Sequence, residues 1–312
     1  MRYLLLGFLG VASAVFVPND LADLKAAVDS CISEEASGLC PIFAASNVPS
    51  GQGSGSYGVI GSWDVSKVTS LDTVFYYNKR YFNQSIGDWD TSSVTSLLGT
   101  FYLAEAFNQP IGDWNTSSVT SLQLTFGEAG AFNQPIGDWD TSKVTTLERT
   151  FDRASVFNQP IGDWDTSKVT TLERTFDKAS VFNQPVGDWD TSNVTTLKET
   201  FYRAYAFNQP IGDWDTSKVT SLSWTFYGAD AFNQDLSSWV TTVGTQSTFV
   251  YSGMCPAIRG GACNCVGDMR VDGVCPAGSL YTQAELDAAV AAVTASDFNR
   301  TELETAYVDY CE

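Results

Sequence analysis

The stretch Phe157-Asn-Gln-Pro-Ile-Gly-Asp-Trp-Asp-Thr-Ser-Lys-Val-Thr-Thr-Leu-Glu-Arg-Thr-Phe176 decides how this chain is read. Nearly the same words return 25 residues earlier and 25 residues later. Tryptophans mark the period: Trp63, Trp89, Trp114, Trp139, Trp164, Trp189, Trp214 and Trp239. The first interval is 26 residues and the others 25, while Trp224 stands outside the register. An added residue between Phe75 and Phe82 accounts for the longer first interval. A fixed period of this length is the signature of an architecture that grows by adding equivalent turns.

Within one period, Phe132, Ile136, Trp139, Val144, Leu147, Phe151 and Ala154 occupy positions that stay apolar or small. Val144, Leu147, Phe151 and Ala154 are spaced 3, 4 and 3, which predicts one face of a short helix. Phe132 and Ile136 suit one face of a strand. Trp139 has the wrong parity for that strand, so Gly137 is expected to bend the chain and turn the indole inward. The expected fold is an α/β repeat solenoid of about eight stacked turns, with short strands and short helical or 3-10 segments. No single turn could bury these side chains alone. Turns stacked at about 4.8 Å would build a continuous core roughly 35 Å long. Asn83, Asn108, Asn133, Asn158, Asn183, Asn208 and Asn233 recur once per turn, where inward amides would satisfy backbone groups at a bend. Pro110, Pro135, Pro160, Pro185 and Pro210 follow two residues later and keep that strand short.

The segment Val144 to Lys168, VTTLERTFDRASVFNQPIGDWDTSK, resembles the repeat of BspA-like leucine-rich-repeat surface proteins. The shared elements are V-T-x-L-x-x-T-F, then A-x-x-F-N-Q-P-I, then W-D-T-S. The match runs from about Ile60 to Phe249. The resemblance implies a leucine-rich-repeat-like solenoid on a secreted or surface protein, with adhesion or protein interaction as its role and no catalytic residues. Many relatives are lipoproteins, and the lipobox cysteine is missing here.

Outside the repeats, Arg2 precedes an apolar run from Tyr3 to Val11 and the small residues Ala12-Ser13-Ala14. This reads as a signal peptide over 1–14, too short an apolar run for a membrane span. Residues 15–58 are expected to form an N-terminal helical cap and linker, 59–250 the repeats, and 251–312 a cysteine-containing C-terminal cap. Leu21, Leu24, Val28 and Cys31 make a helical stripe with Asn19 or Asp20 as its cap. Thr282 and Glu285 form a capping box near the other end.

All seven cysteines lie outside the repeats. In a secreted chain they are expected in disulfides, with Cys31 pairing Cys40 and one of the remaining five left over. The chain carries 17 basic and 36 acidic residues, a net charge of −19. That balance disfavours nucleic acid and anionic membrane surfaces. The chain has no histidine, which removes Ser-His and Cys-His dyads. Carboxylates that repeat in every turn do not single out a catalytic pair, so no enzyme and no cofactor is expected.

The Asp-Trp-Asp-Thr-Ser run invites a metal reading. Asp113, Asp138, Asp163 and Asp188 are calcium candidates, since that ion collects several oxygens. The competing reading makes the aspartates after tryptophan caps of the following segment, and Asn115 favours it because Asn caps as well as Asp. The tryptophan column itself is either core or an exposed sugar platform, and the adjoining glycine favours core. Asn83, Asn115, Asn193 and Asn299 head N-glycosylation triplets, with Asn83 least suited because it belongs to the asparagine column. The functional expectation is a secreted or surface-associated scaffold that binds an extracellular protein or glycan. Self-association as a cell-wall or matrix component is the alternative, and calcium-dependent adhesion a third reading.

Overall fold

A computed structural model describes residues 15–53, 55–77, 79–236 and 238–240. The chain divides into two compact units, Met1–Asp268 and Met269–Glu312. The second unit lies outside the described residues, as do Cys255, Cys263, Cys265, Cys275, Cys311, Asn299 and the Thr282–Glu285 box.

The N-terminal region covers the first repeat. Helix α1 (Leu21–Glu34) starts at Asp20, whose carboxylate accepts the amide of Asp23 at 2.9 Å. It buries Leu24, Ala27, Val28, Cys31 and Ile32. Helix α2 (Pro41–Ala45) begins with proline, which has no amide to lose there. Cys31 and Cys40 are joined by a disulfide with Cα atoms 5.1 Å apart, so the bond ties α1 to the start of α2. The stretch expected as a linker is structured. Phe16 bridges antiparallel to Gly53, and Asn47 to Ser56. Phe16 is buried against Tyr57 and Trp63, with ring centroids 4.7 and 5.0 Å away.

The repeats depart from the strand–bend–helix reading. Among their described residues the only helical element is the 3-10 turn Ile60–Ser62, and strand pairing is confined to isolated parallel bridges, such as Ser96 to Ser121 and Ser121 to Thr146. The segment expected as a helix is a run of tight turns. Thr150, Asp152 and Ala154 donate their amides to Leu147, Arg149 and Phe151. Arg149 and Arg153 have left-handed backbones, φ +56° and +58°, and a right-handed helix cannot pass through them. The spacing of 3, 4 and 3 is real, because all four residues are buried, but it reports successive turns rather than a helix.

The remaining amides explain why the turns stack. Leu147, Arg149, Phe151 and Arg153 donate to the carbonyls of Thr171, Glu173, Thr175 and Asp177 in the next turn. The carbonyls of Thr146, Glu148, Thr150 and Asp152 accept from Leu122, Leu124, Phe126 and Glu128 in the turn before. Each of these four peptide groups therefore links one turn to its two neighbours, and all four point the same way. Peptide dipoles aligned in this manner reinforce one another, with carbonyls toward the first turn. There Lys25 of α1 places its ammonium 2.7 Å from the Thr73 hydroxyl, a cation at the negative end of the columns.

Identical side chains meet in the interior. Trp139 and Trp164 are parallel to within 2°, with centroids 6.5 Å apart, and the Trp164 indole donates to the Ile136 carbonyl at 3.1 Å. Phe151 stacks on Phe157 of its own turn at 4.0 Å and on Phe176 of the next at 5.6 Å. Each fully buried ring contributes on the order of 2 kcal/mol. A buried threonine column lies beside them: the Thr150 hydroxyl reaches the carbonyls of Leu147 (2.8 Å) and Leu122 (3.0 Å). Gly137 does not turn the chain through a left-handed backbone. It is needed because a Cβ there would stand 2.7 Å from the Pro160 carbonyl oxygen of the next turn, and Gly87, Gly112, Gly162 and Gly187 meet the same obstacle. The asparagine column is half-buried in its middle turns and exposed at Asn83 and Asn233, rather than inward. Asn133 Oδ1 accepts the Asn158 amide and the Gln159 side-chain amide, binding consecutive turns at the rim.

Candidate functional site

The turn corner at residues 148–153 is where the repeats stop repeating. Aligned positions at Arg149 hold Thr73, Gly99, Leu124, Arg149, Arg174, Glu199 and Trp224. Those at Arg153 hold Tyr77, Leu103, Glu128, Arg153, Lys178, Arg203 and Gly228. Every one of these residues has a positive φ, and only two are glycine. A left-handed backbone costs a residue with a side chain roughly 1–2 kcal/mol. The fold imposes the conformation, since the amides at both positions must reach the next turn, and it leaves the side chain unspecified.

Three carboxylates at this corner are buried: Asp152, Asp177 and Glu199 are 1, 4 and 4% exposed. Arginines hold two of them. Arg149 grips Asp152 through Nε (2.8 Å) and Nη2 (2.7 Å), and Arg174 pairs with Glu199. Lys198 pairs with Glu173 at 3.0 Å. Asp152 Oδ1 and Asp177 Oδ1 have no hydrogen-bond partner among the described residues. Burial, reinforced by the charge of Asp152, pushes the Asp177 carboxyl up to about 7. Sequence reasoning misses the burial of Asp152, because parity along a run of tight turns does not follow a helix or a strand.

Aromatic rings flank the charges. Tyr202 stacks on Tyr227 at 4.9 Å, and Trp224 lies 6.1 Å from each. The Arg203 guanidinium lies over both tyrosine rings, 5.3 and 6.0 Å from their centroids, and the Lys178 ammonium is 5.6 Å from Tyr202. Trp224, which falls outside the tryptophan register, is 46% exposed, whereas the tryptophans of the register are buried. At the other end of the same columns Tyr76 stacks on Tyr102 at 5.2 Å.

The Asp-Trp-Asp corner is a different environment. Asp140, Asp165, Asp190 and Asp215 accept the amide of the serine two residues on, at 2.9–3.0 Å, and Asn115 does the same at 3.1 Å. Hydrogen bonds from those serines, side chain first and amide second, hold the four carboxyls below their usual range. These residues cap a turn rather than a helix start. The calcium candidates Asp113, Asp138, Asp163 and Asp188 are exposed, each the third residue of a tight turn such as Ile111–Trp114. Among the described residues no three His, Cys, Asp or Glu side chains come together in a metal-holding group.

Of the glycosylation triplets, Asn115 is exposed with its Oδ1 on Ser117. Asn193 uses both ends of its amide, donating to the Ser167 carbonyl and accepting from Lys218. Asn83 receives the amides of Asn108 and Gln109. No helix among the described residues is long and apolar enough to cross a membrane.

No curated protein and no solved structure matches the chain. Residues 50–162 and 145–255 each match one family, and the two segments overlap to cover the repeats. The chain therefore belongs to the repeat-containing family described as Mycoplasma protein of unknown function, DUF285.

Proposed function

We propose that this chain is a non-catalytic repeat solenoid, of the leucine-rich-repeat-like kind found in BspA-like surface proteins, secreted or held at a surface, where it binds an extracellular protein or glycan. Residues 1–14 serve as its signal peptide, residues 15–58 as the N-terminal cap and residues 251–312 as the C-terminal cap. No cofactor takes part.

The observation that supports this reading is the contrast in variability. Interior positions keep their residue from turn to turn, and so for the most part do the Gly and Pro positions where turns approach closely and the Asn and Thr positions that bond one turn to the next. The positions of Arg149 and Arg153 change almost every time, although both must adopt a strained backbone. A side chain that only had to accommodate the strain would be glycine throughout. Charged and aromatic residues there instead fit a surface whose chemistry is used.

The test is capture from the protein's own medium with the full secreted chain as bait, together with sedimentation of the chain alone. A monomer that retains one partner, and loses it when Leu124, Arg153 and Trp224 are all replaced by glycine while thermal unfolding is unchanged, supports the reading. Salt-insensitive self-assembly at low concentration, unaffected by those changes, would replace it with the structural one.

A further inference from the structure

We propose that Arg153, Lys178 and Arg203, together with the exposed rings of Trp224 and Tyr205, form a binding track for a linear acidic polysaccharide. This rests on the reading of the variable corner as a binding face and names the chemical class of its partner.

The three cations occupy the same position in consecutive turns, about 4.8 Å apart along the stack. Like charges at this separation repel, and nothing in the packing requires them, since the same position holds Tyr77, Leu103, Glu128 and Gly228 elsewhere. Of the three, only Arg153 has an ion-pair partner among the described residues, and that contact is long. Arg153 is exposed, with Nε 3.8 Å from Asp152, while Lys178 and Arg203 lie over tyrosine rings. The buried carboxylates beneath are engaged by other groups, Asp152 by Arg149 and Glu199 by Arg174. The charges acting on Asp177 belong to this corner, namely Asp152, Lys178, Arg174 and Glu199, and not to the aspartates beside the tryptophans. The corner thus presents cations outward on a chain whose net charge is −19.

Charge and rings together select the class: the cations call for an anionic chain, and the exposed rings for one made of sugars. Trp224 and Tyr205 are each 46% exposed, the flat apolar surface on which the C–H face of a sugar packs. Attachment through exposed charges on a chain of net charge −19 depends on salt.

The full secreted chain is titrated with polygalacturonate, with a neutral cellulose ether, and with polyglutamate. Binding of polygalacturonate at low salt, weakened about tenfold or more near 0.5 M salt, is the expected result. Arg153→Gln, Lys178→Gln and Arg203→Gln combined should weaken it by at least about tenfold, and Trp224→Ala by several-fold. Lys143→Gln with Lys168→Gln, on another part of the turn, should change it less than about twofold. Thermal unfolding checks that every variant is folded. Equal binding by the triple variant, equal or tighter binding of polyglutamate, or salt-insensitive binding of the neutral polymer would each overturn the proposal. If polygalacturonate fails but the triple variant still loses the partner captured from the medium, the corner binds something of another class. If the variant also keeps that partner, the broader reading falls with it.

Discussion

Two regions of each turn obey opposite rules. The interior repeats its residues with little change: Trp139, Trp164 and Trp189 have the same burial, the same indole donor and the same carbonyl acceptor one turn back. The corner at 148–153 keeps the same backbone but changes its side chains, from Leu124 to Arg149 to Glu199 to Trp224. Stacking explains the first rule, because any change in one interior layer misfits the layers on both sides. The second rule teaches that backbone conformation and side-chain identity are separately controlled here. The left-handed angle is set by a hydrogen bond between turns and does not dictate the side chain, which serves a buried ion pair at Arg149, Arg174 and Glu199 and faces outward at Arg153 and Trp224.

The largest expected effect breaks the interior. Trp164→Ala should cost about 3–5 kcal/mol, since it leaves a cavity between two layers and removes the indole donor that links the Ile136 carbonyl to the next turn. Lys168→Ala, four residues away and exposed, should cost under about 0.5 kcal/mol. Chemical denaturation of both reads the contrast directly. Equal small losses would mean that the tryptophan column does not carry the stability of the stack.

The next effect lies at the corner and depends on pH. The Asp177 carboxyl titrates at about 7 when folded, against the ordinary 3.8. The folded state therefore holds its proton more tightly than the unfolded chain. Its contribution to stability is fully present below about pH 4 and lost as pH rises to about 7, by at most roughly 4 kcal/mol. The aspartates after tryptophan act in the opposite sense. Their folded values lie below 3.8, so the stability they add is lost only in more acidic solution. The interval from pH 4 to 7 thus isolates Asp177. Asp177→Asn should be more stable than the parent above pH 7 and should flatten the profile between those limits in urea titrations. An unchanged slope would show that the carboxylate is solvated.

A smaller effect probes the contact between turns. Gly137→Ala puts a methyl 2.7 Å from the Pro160 carbonyl, which is backbone and cannot rotate away. A loss of about 1–3 kcal/mol is expected, typical of overpacking. Gly130→Ala, where an added methyl meets nothing within 4 Å, is the matched control and should be nearly neutral.

Much of the interior was legible in the sequence. Phe132, Ile136, Trp139, Val144, Leu147, Phe151 and Ala154 are all buried, and periodicity alone had found them. The caps at Asp20 and at the aspartates after tryptophan followed from side-chain chemistry. What escaped was conformation. Nothing in the letters Arg149 or Arg153 suggests a left-handed backbone, which sequence reading reserves for glycine and asparagine. Without those angles the 3, 4, 3 spacing looks helical, and the burial of Asp152 and Asp177 cannot be foreseen. Gly137 was singled out correctly as special but for the wrong reason, because the obstacle lies 23 residues away in the Pro160 carbonyl.

The threonine column tests the comparison at its finest grain, because it is polar yet obeys the interior rule. Thr100, Thr125, Thr150, Thr175, Thr200 and Thr225 are fully buried, and each hydroxyl lies within reach of two leucine carbonyls, one in its own turn and one in the turn before. A hydroxyl has a single proton to share between them. Each of those leucine carbonyls also receives a backbone amide from its own turn, as Leu147 does from Thr150. Thr150→Val keeps the shape and removes only that shared donor, so the loss should be about 1 kcal/mol rather than the full cost of an orphaned acceptor. Thr150→Ser keeps the donor and drops a methyl, and it should lose a comparable amount through packing alone. Pairing Thr150→Val with Thr175→Val then separates the two rules. If the column stabilises turn by turn, the losses add to within about 0.5 kcal/mol, whereas a larger joint loss would mean that adjacent hydroxyls support one another through the Leu147 carbonyl they share.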